Sequence, residues 1–452
     1  MIHQYKSNGY NIVMDVESGA VHVVDDVTYD VIALFEDTET SKIVEQLSDK
    51  YDKADIEEAI SEVNQLKEDG QLFTQDIYQP FIEEFKDKRQ TVVKALCLHI
   101  AHDCNLACKY CFAEEGEYHG RRAMMSFEVG KKALDFLVAN SGSRVNLEVD
   151  FFGGEPLMNW DVVKQLVEYG RSLEESNHKK FRFTLTTNGV LLNDEIMEYL
   201  NKEMSNVVLS LDGRKEVNDR MRPFRTGKGS YDLIVPKFQK LAESRNQSNY
   251  YVRGTFTRDN LDFSEDVKHF ADLGFKQMSI EPVVGPEEDP YSIREEDLPK
   301  IMEEYDKLAL EYIKREKEGR GFNFFHFMID LNQGPCVYKR LSGCGSGTEY
   351  LAVTPWGDFY PCHQFVGNEE FLMGNVDEGI KRTDLVKTFG NCNVYSKEKC
   401  KNCFARFYCS GGCAANSYNF HGNINDAYDI GCELQKKRIE CAIMIKAAMA
   451  EE

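Results

Sequence analysis

Positive charge is scarce in this sequence: 54 Lys and Arg face 76 Asp and Glu, a net charge of −22. Nucleic-acid phosphates need a basic face, so no nucleic-acid partner is expected. A basic peptide partner is compatible with the balance. Long apolar runs are also missing, and none approaches the ~18 residues of a membrane helix. The opening stretch, Met1 to Gly9, is polar and lacks the apolar core of a signal peptide. The expectation is a cytoplasmic protein with no membrane partner. There is no solenoid-type repeat and no low-complexity tract. A disulfide framework is not expected either, because the cytoplasm keeps thiols reduced. That leaves fourteen cysteines to explain. Three lie between residues 104 and 111 and most of the rest between 336 and 432, a clustering that points to metal.

The chain has 452 residues, 42% of them hydrophobic, enough for two or three domains. Residues 1–80 read as a small module. Tyr10–Val16 and Ala20–Asp25 alternate around Glu17-Ser18-Gly19, which predicts a hairpin. Ile43, Val44, Leu47 and Tyr51 share one helical face, with Thr40 as its expected N-cap, and Ile56, Ile60, Val63 and Leu66 share another. A charged stretch, Glu83 to Gln90, within residues 81–90, reads as a linker.

Residues 91–320 alternate apolar runs with amphipathic helices. The runs are 95–101, 146–152, 181–187, 207–212, 250–257 and 277–283, with helical patterns such as 127–139 and 161–173 between them. Six β-then-α units predict an α/β fold with a parallel sheet and outer helices, a partial (β/α)6 barrel. Such folds place ligands at the carboxyl ends of their strands. Cys104, Gly153-Gly154-Glu155, Thr187-Asn188-Gly189 and Ser210-Leu211-Asp212-Gly213 all fall there. Residues 321–452 are Cys- and Gly-rich and weakly periodic, and metal clusters would supply the missing cross-links. The end, about 433–449, is helical by pattern.

Cys104-x3-Cys108-x2-Cys111 offers three thiols within eight residues. A structural zinc would want a fourth ligand. A four-iron cluster accepts three cysteines and keeps one iron open for a cofactor. With Tyr110 before the last cysteine, on the loop after the first strand of a β/α array, this motif resembles the radical SAM superfamily signature, C-x3-C-x-aromatic-C. The resemblance covers about residues 91–285. It implies that S-adenosylmethionine (SAM) binds the open iron and is cleaved to a 5′-deoxyadenosyl radical. It also implies SAM contacts at Tyr110, at Gly153, Gly154 and Glu155 of the Gly-Gly-Glu-Pro motif, and at Ser210 and Arg222. An arginine at position 222 would otherwise read as half of a surface ion pair.

Further on, Cys344 is followed after twelve residues by Gly357-x4-Cys362, then by Cys400-x2-Cys403-x5-Cys409-x3-Cys413 and by Cys432. This order resembles the SPASM extension of radical SAM peptide-modifying enzymes. The resemblance implies two auxiliary [4Fe–4S] clusters, three clusters in all. Cys344, Cys362 and Cys413 would hold the inner one, and Cys400, Cys403, Cys409 and Cys432 the outer. The inner set is one ligand short, to be completed by Cys336 or by a substrate thiolate. A zinc site at Cys400, Cys403, Cys409 and Cys413 would leave the other cysteines unexplained. Cys97, Cys392 and Cys441 read as structural.

A hairpin-plus-helices module ahead of such a barrel resembles the winged-helix-like RiPP recognition element, which binds leader peptides by strand addition. Asp49, Asp52, Asp55, Glu57, Glu58, Glu62, Glu68 and Asp69 crowd its helices and argue against DNA. The whole chain, including Tyr10-Asn-Ile-Val and Gly19-Ala-Val-His-Val-Val-Asp, resembles the SCIFF maturases. That resemblance implies a Cys-rich precursor peptide as substrate, a thioether from a cysteine sulfur to a threonine α-carbon as product, and an electron donor such as flavodoxin or ferredoxin. The nearest rival is an anaerobic sulfatase maturase making formylglycine. Those enzymes place an aspartate directly after the Gly-x4-Cys cysteine, where this sequence has His363. A non-catalytic metal-binding adaptor is the alternative of a different class. No general base is identifiable from sequence.

Overall fold

The computed structural model describes residues 1–82, 92–118, 120–331 and 337–450. The expected linker 83–90 and Cys336 lie outside the described residues.

The chain begins with three antiparallel strands, β1 (Ile2–Ser7), β2 (Tyr10–Asp15) and β3 (Val21–Val24), in spatial order β1-β2-β3. The expected hairpin is β2–β3, its turn pinned by the Asp15 carboxylate, which accepts from the Glu17 and Ser18 amides at 3.0 Å each. β1 was not expected. It is joined to β2 by Asn8-Gly9, both with positive φ (49° and 88°), a two-residue turn that suits the twist of paired strands. Helices Asp26–Leu34, Thr40–Leu47 and Lys53–Glu68 follow. The first is capped by Asp25, whose side chain accepts from the Thr28 amide. Thr40 does not cap the second: Glu39 is the N-cap residue, with no side-chain bond, and Thr40 is already inside the helix. Ile43, Leu47, Ile56, Ile60 and Val63 bury their faces with Val13, Val31 and Leu72 in a core of their own.

The main sheet contains β4 (Ala95–His102), with the short β5 (Ala123–Met124) antiparallel to it, then β6 (Asn146–Gly153), β7 (Lys180–Thr187), β8 (Met204–Ser210), β9 (Tyr250–Phe256) and β10 (Gln277–Pro282). All but β5 run parallel in the order β4-β6-β7-β8-β9-β10, so the six expected units are present and mostly parallel. Side chains alternate. Leu147, Val149 and Phe151 of β6 and Phe181, Phe183 and Leu185 of β7 are fully buried. The intervening positions, such as Glu148, Asp150, Arg182 and Thr184, line cavities on the inner side.

The Cys-rich segment does not stand apart from this sheet. β11 (Asn323–Phe324) pairs parallel with β10, and β12 (Tyr350–Val353) pairs parallel with β4 at the other edge. β13 (Asp358–Tyr360), β14 (Gly374–Asn375) and β15 (Gly379–Ile380) continue it antiparallel. Leu351, Ala352, Val353 and Phe359 are fully buried in the barrel's core, which supplies the apolar packing that this segment lacks alone. The last helix, Asp429–Ala450, returns to the first module: the Tyr5 hydroxyl donates to the Glu440 carbonyl at 3.0 Å. Arg406, 3% exposed, ties the module to the Cys-rich segment through Glu17 at 2.5 Å and Asp76 at 2.9 Å.

Candidate active site

The carboxyl ends of the parallel strands open into a cavity of about 1670 Å³. A single small ligand usually occupies ~300–1,000 Å³. Cys104, Cys108 and Cys111 line it from the loop after β4; Cys344, Cys362 and Cys413 line it from the Cys-rich segment. Cys409 and Cys432 reach it too, whereas Cys400 and Cys403 do not. Cys104, Cys108 and Cys111 act on one another, as do Cys344, Cys362 and Cys413, and as do Cys400, Cys403, Cys409 and Cys432. Among the described residues, no three Cys, His, Asp or Glu side chains close on the spacing of one metal ion.

The first cysteine loop is held by its backbone. The Ala107 amide donates to Pro223 O at 2.8 Å and the Lys109 amide to Met221 O at 3.0 Å. Arg225 donates to the Asp103 carboxylate and to the Cys104 carbonyl at 2.8 and 2.7 Å. Cys104 Sγ accepts weakly from the Leu106 amide and from Asn188 Nδ2 at 3.5 and 3.6 Å. Burial pushes the Cys104 thiol up to about 11 and Cys108 up to about 12. Burial outweighs the downward pull of the nearby Arg222, so these thiols keep their protons and metal loading must displace them.

The Gly-Gly-Glu-Pro stretch packs directly against this loop. Gly154 N donates to Ala101 O at 2.7 Å, and Glu155 N to Asp103 O at 2.9 Å. Gly153 and Gly154 line the cavity; Glu155 lies beneath it, fully buried. Its carboxylate accepts from the Leu157 amide at 3.0 Å, and from the Thr187 hydroxyl and the Asn188 amide at 2.8 Å each. It therefore clamps the ends of β6 and β7 together.

Tyr110 and Arg222 meet in a buried network with Asp212, a partner that sequence reasoning placed at a strand end but did not assign. The Tyr110 hydroxyl donates to Asp212 Oδ2 at 2.6 Å and accepts from Arg222 Nη1 at 2.9 Å. Asp212 also accepts from the Thr255 amide at 3.0 Å. Arg222 is 8% exposed and is no surface ion pair. Burial works against its charge, but Cys108, Tyr110 and Asp212 around it hold it firmly protonated. Arg222 Nε and Asn105 Nδ2 are buried donors without an acceptor among the described residues. Three thiols, lined-up glycine backbone and unspent donors at one cavity wall fit an iron–sulfur cluster with a carboxylate-bearing cofactor beside it. Ser210, half-buried at the end of β8, lines the same wall.

On the opposite wall, burial pushes Cys362 up to about 12. His363 packs between Phe152 and Phe112, with centroids at 5.2 and 5.6 Å and ring planes tilted by 43° and 50°, and burial lowers it to about 4. Cys400, Cys409 and Cys432 are each pushed up to about 11 by burial. Cys97 and Cys441 are buried, as expected of structural cysteines. Cys392 donates to Ile424 O at 3.4 Å, yet it also lies within electrostatic reach of both Cys344 and Cys400. Asp150 on the cavity floor was missed from sequence; burial raises it to about 7.

No described helix is long and apolar enough to cross a membrane. A cysteine-type anaerobic sulfatase-maturating enzyme of Clostridium novyi is 26% identical over 75% of this chain and 92% of its own length. The fold is shared with native anSMEcpe with bound AdoMet, at a TM-score of 0.64 and 21% identity over 78% of this chain and 99% of that one. It is shared also with Streptococcus suis SuiB bound to precursor peptide SuiA, at a TM-score of 0.53 and 16% identity over 95% and 98% of the two chains. Residues 98–263, which carry the first cysteine loop, the Gly-Gly-Glu-Pro stretch and Arg222, match the Radical SAM superfamily.

Proposed function

We propose that this enzyme closes a thioether between a cysteine sulfur and a threonine α-carbon in a ribosomally made, Cys-rich precursor peptide. The observation that carries the reading is the single cavity shared by Cys104, Cys108 and Cys111 with Cys344, Cys362 and Cys413. Cleaving SAM needs the first group alone. The second brings thiol-binding chemistry into the same space, which is large enough for a cofactor and a stretch of peptide.

In this reading Cys104, Cys108 and Cys111 would hold one [4Fe–4S] cluster, Cys344, Cys362 and Cys413 an inner auxiliary cluster, and Cys400, Cys403, Cys409 and Cys432 an outer one. When bound, the first cluster and SAM supply a 5′-deoxyadenosyl radical that takes a hydrogen atom from the peptide. The chain's part is to bind and orient. Arg222, with its unspent Nε and with Tyr110 and Asp212 fixing its position, suits the methionine carboxylate. Gly153 and Gly154 offer backbone at the wall, Glu155 keeps that wall rigid, and Ser210 adds a hydroxyl. Three cysteines at the inner group leave a place for the substrate thiolate. Coordination would hold that sulfur deprotonated beside the reacting carbon. The outer edge of β3, paired only with β2 among the described residues, suits leader binding by strand addition. A flavodoxin or ferredoxin would deliver the electron.

The sulfatase-maturating relative favours a second reading, formylglycine formation. His363 opposes it, because those enzymes carry an aspartate there. One experiment separates them: anaerobic incubation of a Cys-rich precursor with reconstituted enzyme, SAM and reductant, followed by mass spectrometry. The thioether predicts loss of two hydrogens, retention of sulfur and one cysteine that resists alkylation. Formylglycine predicts loss of the sulfur. An unchanged peptide beside abundant 5′-deoxyadenosine rejects both for that substrate.

A further inference from the structure

Asp150 on the floor of the active cavity stands one strand away from Thr184 of a second cavity below it. Along β6, Glu148 and Asp150 project to the barrel's inner side, between the buried Leu147, Val149 and Phe151. Asp150 lines the active cavity. Glu148 lines a separate cavity of about 500 Å³ at the amino ends of the strands, with Arg182, Thr184, Asn206 and Tyr251. The register sets Asp150 beside Thr184 and Glu148 beside Arg182. Thr184 lies beside Asp150 on the neighbouring strand, close enough to pull its carboxyl down, so the pair stands between the two cavities. The lower one is open to water: Glu148 and Arg182 are 55% and 57% exposed and 3.6 Å apart.

Thioether closure has a proton to dispose of. The carbon radical left by hydrogen-atom transfer to 5′-deoxyadenosyl bonds to the cysteine sulfur. The S–H bond breaks as the thiol becomes the thiolate that the inner group would hold, so one proton must leave; an auxiliary iron–sulfur cluster would take the one electron left over when the carbon–sulfur bond forms. The upper cavity excludes bulk water once peptide and cofactor fill it. The proton therefore needs a base that faces the peptide and a way out that avoids it.

Resting on the thioether reading, we infer that Asp150 receives the proton released by the substrate thiol and passes it through Thr184 and the lower cavity to solvent. A hydroxyl both donates and accepts, so Thr184 can relay. The groups facing Asp150 are Glu148 on its own strand, Thr184 with Arg182 behind it on β7, Cys97 on β4 and Tyr350 on β12. Burial and then Glu148 raise the carboxyl to about 7, with the Thr184 bond pulling down. A base poised near the working pH is what proton transfer favours. Cys97 and Tyr350 are themselves raised, burial first, so neither competes as an ionised base.

The test uses the loaded full-length enzyme and its Asp150→Asn, Asp150→Glu and Thr184→Val variants. Infrared difference spectra would follow the carboxyl band against pH, and mass spectrometry would follow peptide product over the same range. The expected result is a carboxyl that titrates near neutrality in the wild type and is missing from Asp150→Asn. Product formation should fall about 100-fold or more in that variant, by more than 5′-deoxyadenosine formation falls. Asp150→Glu should restore product with a shifted pH profile, and Thr184→Val should slow it while keeping the carboxyl band. Product formation by Asp150→Asn at the wild-type rate and pH profile overturns the inference alone, as does a carboxyl that titrates in the ordinary carboxylate range. A wild type that leaves the peptide unchanged overturns the thioether reading and the proton's source with it.

Discussion

Replacing Gly154 with alanine tests how tightly the first cysteine loop is built. A Cβ at that position would fall 2.1 Å from Asp103 O and 2.6 Å from Asp103 C. That is more than an ångström inside van der Waals contact, and the atoms it meets are backbone. Relief requires the strand end and the loop to part by about that distance. Parting them stretches Gly154 N to Ala101 O and Glu155 N to Asp103 O, now 2.7 and 2.9 Å. Overpacking costs about 1–3 kcal/mol, and two weakened backbone bonds add about 0.5–1.5 kcal/mol each. The sum, roughly 2–6 kcal/mol, corresponds to a Tm lower by about 5–20 °C for a cooperative unit of roughly 200 residues. Differential scanning calorimetry would read it, with Gly390→Ala as control. A Cβ there would lie 3.7 Å from Thr348 Cγ2, an ordinary contact, on a helix where alanine is the better residue. Iron content and 5′-deoxyadenosine formation should fall in Gly154→Ala and hold in the control. A Gly154→Ala enzyme with wild-type Tm and wild-type SAM cleavage would refute the packing argument.

Arg406→Ala should cost about 3–5 kcal/mol, because it leaves the Glu17 and Asp76 carboxylates buried together. A lowered first unfolding transition and faster proteolysis of residues 1–80 would register it; unchanged melting would contradict it. Tyr110→Phe removes the hydroxyl bridging Asp212 and Arg222, and SAM affinity measured by titration calorimetry should drop about tenfold with iron content retained. Asp150 gives a pH dependence of stability. Its carboxyl is raised from 3.8 to about 7, so between those values the folded chain holds a proton that the unfolded chain releases. Stability from this group falls as pH rises through that window, and Asp150→Asn should flatten the slope of the urea midpoint against pH.

The six parallel strands were legible because each is an apolar run bounded by polar turns, and the cysteine motifs because their spacing is local. The Asn8-Gly9 turn was legible in principle and passed over, which lost β1. Thr40 misled because a threonine before a helical pattern looks like a cap, while the backbone starts the helix one residue earlier. Asp212 and Asn188 carried no readable role: their partners, Tyr110 and Cys104, lie 102 and 84 residues away. Asp150 was hidden inside a strand that reads as apolar, and only the pairing with β7 shows its side chain facing Thr184 between two cavities. The Cys-rich segment looked coreless because its apolar residues pack on a sheet that begins some 250 residues earlier, β12 beside β4. The paired N-terminal contacts, such as Arg406 with Glu17, are likewise invisible to any local pattern.

The most direct test of the account follows one atom. A precursor peptide carrying deuterium at the α-carbon of its threonines would be turned over anaerobically with the loaded enzyme and SAM, and the 5′-deoxyadenosine weighed. The account predicts one deuterium transferred per crosslink formed, with the crosslinked threonine having lost it. Unlabelled 5′-deoxyadenosine alongside a modified peptide would place the radical elsewhere and contradict thioether closure at that carbon.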